Sequence, residues 1–110
     1  MKLPHGDPAV VDMRKLRGYC LSESHPRGRH KARVFAAALG VGEGNADLLR
    51  DALLNAAKVR EAIPGRSNEF GERYFIDFEM RGPRGEATAR SLWIIRLGES
   101  FPRLTSCFVM

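Results

Sequence analysis

Apolar and polar residues repeat along this chain with two different periods, and the change between them divides it into halves. From Met13 the apolar positions Met13, Leu16, Tyr19 and Cys20 keep the three- and four-residue spacing of one helical face, with Arg14, Lys15 and Arg17 opposite. Asp12 is a fitting N-cap, and the helix is predicted to end near Leu21. A second helix is predicted from Arg29, with Ala32, Phe35, Ala36 and Leu39 on one stripe, His30, Arg33, Val34 and Ala37 on the other, and Gly40 as its stop. Asn45 offers a cap for a third helix, which carries Leu48, Leu49, Ala52, Leu53 and Ala56 and ends near Arg60. Pro64, Gly65, Ser67 and Asn68 then break the pattern.

Period two follows. Tyr74, Ile76, Phe78 and Met80 alternate with Arg73, Asp77 and Glu79, interrupted only by Phe75. Further strands are predicted over Thr88 to Leu97 and Arg103 to Val109. The expected fold is one α+β domain over residues 1–110, with an extended lead-in (1–11), a helical half (12–62) and an antiparallel sheet (72–110). In it, three N-terminal helices pack on one face of a three- to four-stranded antiparallel sheet. If five-residue loops join the strands, Met80 faces Glu86 and Leu97 faces Arg103. The covered face then holds Tyr74, Ile76, Phe78, Met80, Leu92, Ile94, Leu104 and Phe108, with Ser106 pointing the same way. Phe75, Trp93 and Ile95 fall together on the other face, as an apolar patch for a partner or a second copy of the chain.

Composition narrows the class. Hydrophobic residues at 44% and charged residues at 28% fit a packed globular chain, and no stretch approaches the ~20 apolar residues of a membrane span. No membrane partner is expected, and a reducing cytoplasm is the default location. Cys20 and Cys107 fit no metal-ligand or redox spacing and read as small core residues. The formal net charge of +5 favours an anionic partner.

Much of that charge is concentrated. His25, Arg27, Arg29, His30, Lys31 and Arg33 stand close together without one carboxylate, beside a predicted helix. Metal-independent RNA cleavage needs an acid, a base and donors for the phosphorane charge, and His25, His30, Lys31 and Arg33 supply those group types. Arg73, Glu79, Arg103, Thr105 and Ser106 offer a second set on the sheet. The plainer readings are a solvated helix face for His30 and Arg33, and for His25 a turn histidine bonded to backbone. His5, His25 and His30 lack acidic companions at metal-ligand spacing, so neither a metal nor a cofactor is expected. Ser106 and Cys107 show no aligned histidine for nucleophilic work. Gly40-Val-Gly42-Glu-Gly44 follows a helix and does not match a phosphate loop.

Lys15-Leu16, Tyr19, Leu21, His25-Pro26, Gly28, Lys31-Ala32 and Phe35, with Phe101-Pro102-Arg103-Leu104 and Ser106-Cys107, resemble the signature of a family of small bacterial proteins known only as a domain of unknown function. The resemblance runs from about Val10 to the C-terminus. The order of helices and sheet is also similar to the barnase, EndoU, colicin-D and RelE nuclease toxins, whose sites lie on the sheet face away from the helices. That likeness implies a toxin-type metal-independent ribonuclease, with His25, His30, Lys31, Arg103 and Ser106 catalytic and Arg27, Arg29, Arg33, Arg96 and Thr105 holding nucleic acid. It further implies, as partners, RNA and a small acidic inhibitor protein from a neighbouring gene. The competing expectation is a non-catalytic module that binds a protein or nucleic acid through the basic helix and the Trp93 face, and a homodimer pairing those faces is the third.

Overall fold

The structure, a computed structural model, describes residues 1–110. Three helices precede a four-stranded antiparallel sheet whose strands lie side by side in chain order. Helix α1 is one α-turn (Met13–Lys15), capped by Asp12, that continues as a single π-turn (Leu16–Cys20) closed by the Leu21 N–H on the Leu16 carbonyl at 2.8 Å. Helix α2 spans Arg29–Leu39, and α3 spans Ala46–Val59 after a 3₁₀ turn over Glu43–Asn45. The strands are β1 (Ile63–Pro64), β2 (Gly71–Gly82), β3 (Gly85–Arg96) and β4 (Arg103–Val109). No helix is long and apolar enough to cross a membrane.

Ala32, Phe35 and Leu39 of α2 are buried as the stripe predicts, while Arg33 and Val34 are exposed. Leu49, Leu53 and Ala56 of α3 are buried, but Leu48 is exposed. Asn45 does not cap α3. Its carboxamide accepts the Gly42 N–H at 2.8 Å and donates to the Gly40 carbonyl at 3.0 Å, so it ties the loop before the helix. One hydrophobic cluster joins Leu16 and Cys20, Phe35 and Leu39, and Leu49 and Leu53 to Tyr74, Ile76, Phe78, Trp93, Leu104 and Cys107 of the strands.

The strand register differs from the expected one. A two-residue turn, Pro83-Arg84, closes the β2–β3 hairpin, so Gly82 faces Gly85 and Met80 faces Ala87 instead of Glu86. Because side chains alternate, that single-residue shift exchanges the faces of β3. Trp93 now lies opposite Tyr74, within the core and 1% exposed. Ile95 follows it to the Tyr74 side, and Phe75 pairs with Leu92 on the other. The patch of Phe75, Trp93 and Ile95 therefore does not form. In β4, Ser91 faces Cys107 and Leu92 faces Ser106, which places Ser106 and Phe108 on the Phe75 side, contrary to expectation.

Burial of Trp93 requires a partner for its indole N–H. Nε1 donates to Ser91 Oγ at 2.9 Å, and Ser91 Oγ donates to the Ile76 carbonyl at 3.0 Å. Removing the hydroxyl strands a buried donor. Ser91→Ala should lower unfolding stability by about 1–3 kcal/mol in urea titrations, with Trp93 emission remaining blue-shifted at every protein concentration. A red-shifted or concentration-dependent emission would contradict this placement.

Candidate functional site

β4 is an edge strand whose free side is covered at its start by other parts of the chain. The lead-in covers its start: the Val10 N–H donates to the Pro102 carbonyl at 2.9 Å, and the Leu104 N–H to the Val10 carbonyl at 3.0 Å. Next comes a β-bulge. Leu104 faces Trp93 and Ser106 faces Leu92, so Thr105 is the extra residue. Thr105 Oγ1 pins the bulge by donating to the Leu92 carbonyl at 3.1 Å, and the Thr105 carbonyl accepts Lys15 Nζ of α1 at 3.3 Å.

The turn after α1 completes the site. His25 Nδ1 accepts the N–H groups of Arg27 at 3.0 Å and Gly28 at 3.1 Å, the backbone-bonded turn histidine of the plainer reading. An Nδ1 that accepts carries no proton, so the neutral ring keeps its proton on Nε2 and presents a donor there. The Tyr19 ring meets the imidazole edge-on, with centroids 4.9 Å apart. A Cβ at Gly28 would lie 2.2 Å from the Tyr19 carbonyl oxygen, so only glycine lets the turn sit this close to α1.

Lys15, Tyr19, His25, Arg27, Thr105 and Ser106 line an open cleft of about 490 Å³. Two cations and an imidazole face it, and no carboxylate does. Ser106 Oγ is shielded from solvent without a hydrogen-bond partner, an unsatisfied group of the kind that ligand sites retain. Thr105 also lines two further depressions. One, of about 90 Å³, includes Asp12, Lys15, Arg96 and Arg103; the other, of about 240 Å³, includes Arg66, Arg73, Phe75 and Leu92.

Ion pairing sorts the cations. The Arg103 guanidinium grips Glu99 through two hydrogen bonds of 3.0 Å and lies over the Phe101 ring. Arg90 is held by Asp77 at 2.7 and 2.9 Å and covers Phe75, its guanidinium carbon 4.4 Å from the ring centroid. Lys15, Arg27, Arg66, Arg73 and Arg96 have no acidic partner within 4 Å. Of the residues singled out in the sequence, His25, Arg27, Thr105 and Ser106 meet in the cleft, and Arg96 and Arg103 sit beside it. Arg29, His30 and Arg33 are exposed on α2 and line no part of it, and Lys31 Nζ lies 4.9 Å over the Phe108 ring. Lys15 and Arg66 were not singled out for binding. Lys15 stands in the quoted signature, whereas nothing in sequence marks Arg66, which the pairing of β1 with β2 brings to the rim.

Behind the cleft the Cys20 and Cys107 thiols are free and buried in contact, as small core residues. The Cys107 hydrogen bond holds the Cys20 thiol below its ordinary value against the effect of burial, and the same bond with burial pushes Cys107 well up. No three His, Cys, Asp or Glu side chains converge on a common point.

A family model described as "Domain of unknown function (DUF6883)" matches residues 2–110. No curated protein and no solved structure matches the chain.

Glu99 acts as a lock on Arg103. The hydrogen bond from Arg103, then its charge, holds the Glu99 carboxyl below its ordinary value of 4.5, so the pair is intact above that pH and is lost as pH falls through the lowered value. At neutral pH Glu99→Gln should release Arg103 toward the groove and raise the salt needed to elute the protein from heparin. The rise should exceed that of Glu43→Gln, an equal charge change at an exposed residue without an ion pair. Equal shifts would show that Arg103 is not what the lock restrains.

Proposed function

The chain belongs to the DUF6883 family, a domain of unknown function, and we propose that it binds RNA along the groove centred on Thr105. One observation carries this reading: depressions meeting at a single bulged residue gather Lys15, Arg27, Arg66, Arg73 and Arg96, cations without acidic partners. Several separated cations on one groove suit a chain of phosphates better than a single anion. In the main cleft Lys15 retains two of its three ammonium protons beyond the Thr105 carbonyl, Arg27 adds a planar fork, and His25 offers Nε2–H.

Toxin-type, metal-independent cleavage is the more specific reading of the same cleft, and an acidic inhibitor protein would complement its charge. Cleavage requires a base for the 2′-hydroxyl proton. His25 presents a donor as long as its Nδ1 holds the turn, and no carboxylate lines the cleft. Those two facts favour binding over cleavage as the primary activity.

Fluorescence anisotropy with a labelled single-stranded RNA tests the proposal. Lys15→Ala and Arg27→Ala should each weaken binding and each reduce the slope of log K against log salt by about 0.7. Arg29→Ala and Arg33→Ala should do less, and a larger effect from them would move the interface to the outer face of α2. Inducible expression in bacteria separates the two readings: growth arrest with RNA fragmentation that His25→Ala abolishes would establish cleavage, and intact RNA would leave binding alone.

A further inference from the structure

The most apolar depression lies on the sheet side of Thr105. Its floor is the cross-strand pair Phe75 and Leu92, direct partners in the β2–β3 ladder. Arg73, on β2, stands at its rim with Arg66. The latter is fixed by β1, because the Gly65 N–H donates to the Arg73 carbonyl at 2.7 Å and anchors the chain beside it. Arg90 lies over one face of Phe75 but does not line the depression, so the ring is braced on one side and available on another.

A flat apolar floor with two unpaired guanidinium groups at its rim is complementary to one kind of group, an aromatic ring with hydrogen-bond acceptors on its edge. A volume of about 240 Å³ falls below that of drug-sized pockets and suits a single ring system. Thr105 is shared with the main cleft, so an occupant of the depression and an anion beside Lys15 and Arg27 are separated by one bulged residue. We propose that this depression is the nucleobase subsite of the groove, seating the unpaired base of a single-stranded RNA whose phosphate occupies the Lys15 and Arg27 cleft. The inference rests on the RNA-binding reading and adds the strandedness of the ligand, since a base held in a duplex could not enter.

Two probes separate the subsite from the cleft. Ribose 5-phosphate can use only the phosphate site, whereas adenosine 5′-monophosphate can use both. In calorimetric titrations the nucleotide should bind roughly tenfold more tightly than the sugar phosphate, the increment expected of one stacked base. Phe75→Ala should bring the two affinities close together without altering that of ribose 5-phosphate, and Arg66→Ala, the loss of a groove cation, should weaken the nucleotide by a larger factor than the sugar phosphate. Arg66 is exposed, so its variant tests the subsite without burdening the fold. Equal binding of both probes by the wild-type chain would overturn the base subsite and leave the phosphate cleft standing, and binding of neither would overturn both. A nucleotide preference that survives both substitutions would place the base elsewhere and likewise overturn the assignment.

Discussion

The register of the β2–β3 hairpin is the constraint on which the rest of the molecule depends. Pro83-Arg84 is a two-residue connection, and Gly82 enters it against the Leu39 carbonyl of α2, where a Cβ would come within 2.2 Å of the oxygen. With that end fixed, every residue of β3 has an assigned side. Trp93 enters the core, Arg90 reaches Asp77, and Glu86 pairs with Arg81. A slip of one residue would expose the indole and separate both ion pairs. The same registry decides what β4 can do, since β4 aligns on β3 and adds its bulge at Thr105 to bring Ser106 outward.

Helices were legible in the sequence because their signals are local. Met13, Leu16 and Cys20, or Ala32, Phe35 and Leu39, announce a face within a few turns, and the observed ends of α1 and α2 agree closely with the predicted ones. The three longer strands were legible for the same reason, whereas β1, two residues at Ile63–Pro64 where a break was predicted, was not. Register was not, because periodicity is blind to loop length: five residues and two residues both fit the Arg81 to Gly85 stretch, yet they invert the sheet. The candidate site divides along the same line. A run of basic residues suggested the second helix as the binding element, but His25 and Arg27 precede that helix, and the surface they help form is completed by Lys15 and by a bulge ninety residues away from it. Spacing along one segment does not reveal a partner at that separation.

Net charge also proved less informative than its pairing. Arg103, Arg90 and Arg81 are neutralised locally by Glu99, Asp77 and Glu86, so they contribute little to any long-range field. Lys31 stands over an aromatic ring instead of facing the groove. The remaining cations near Thr105 therefore form a local positive region whose shape is set by the bulge and by the two strands beside it. What folding leaves behind is a set of unpaired cations whose positions, more than their number, define this surface.

The contact of α1 with β4 also fixes an order of events. Lys15 meets Thr105, and Cys20 meets Cys107, so the groove is assembled from the first helix and the last strand. The α2 and α3 helices and the β2–β3 hairpin are built from local contacts and can form early, whereas this closure joins residues ninety positions apart. While the chain is being synthesised its basic turn has no opposing wall, and the groove exists only once β4 has been added to the sheet. Lys15 and Arg27 therefore come to share a wall with Thr105 only in the fully folded chain.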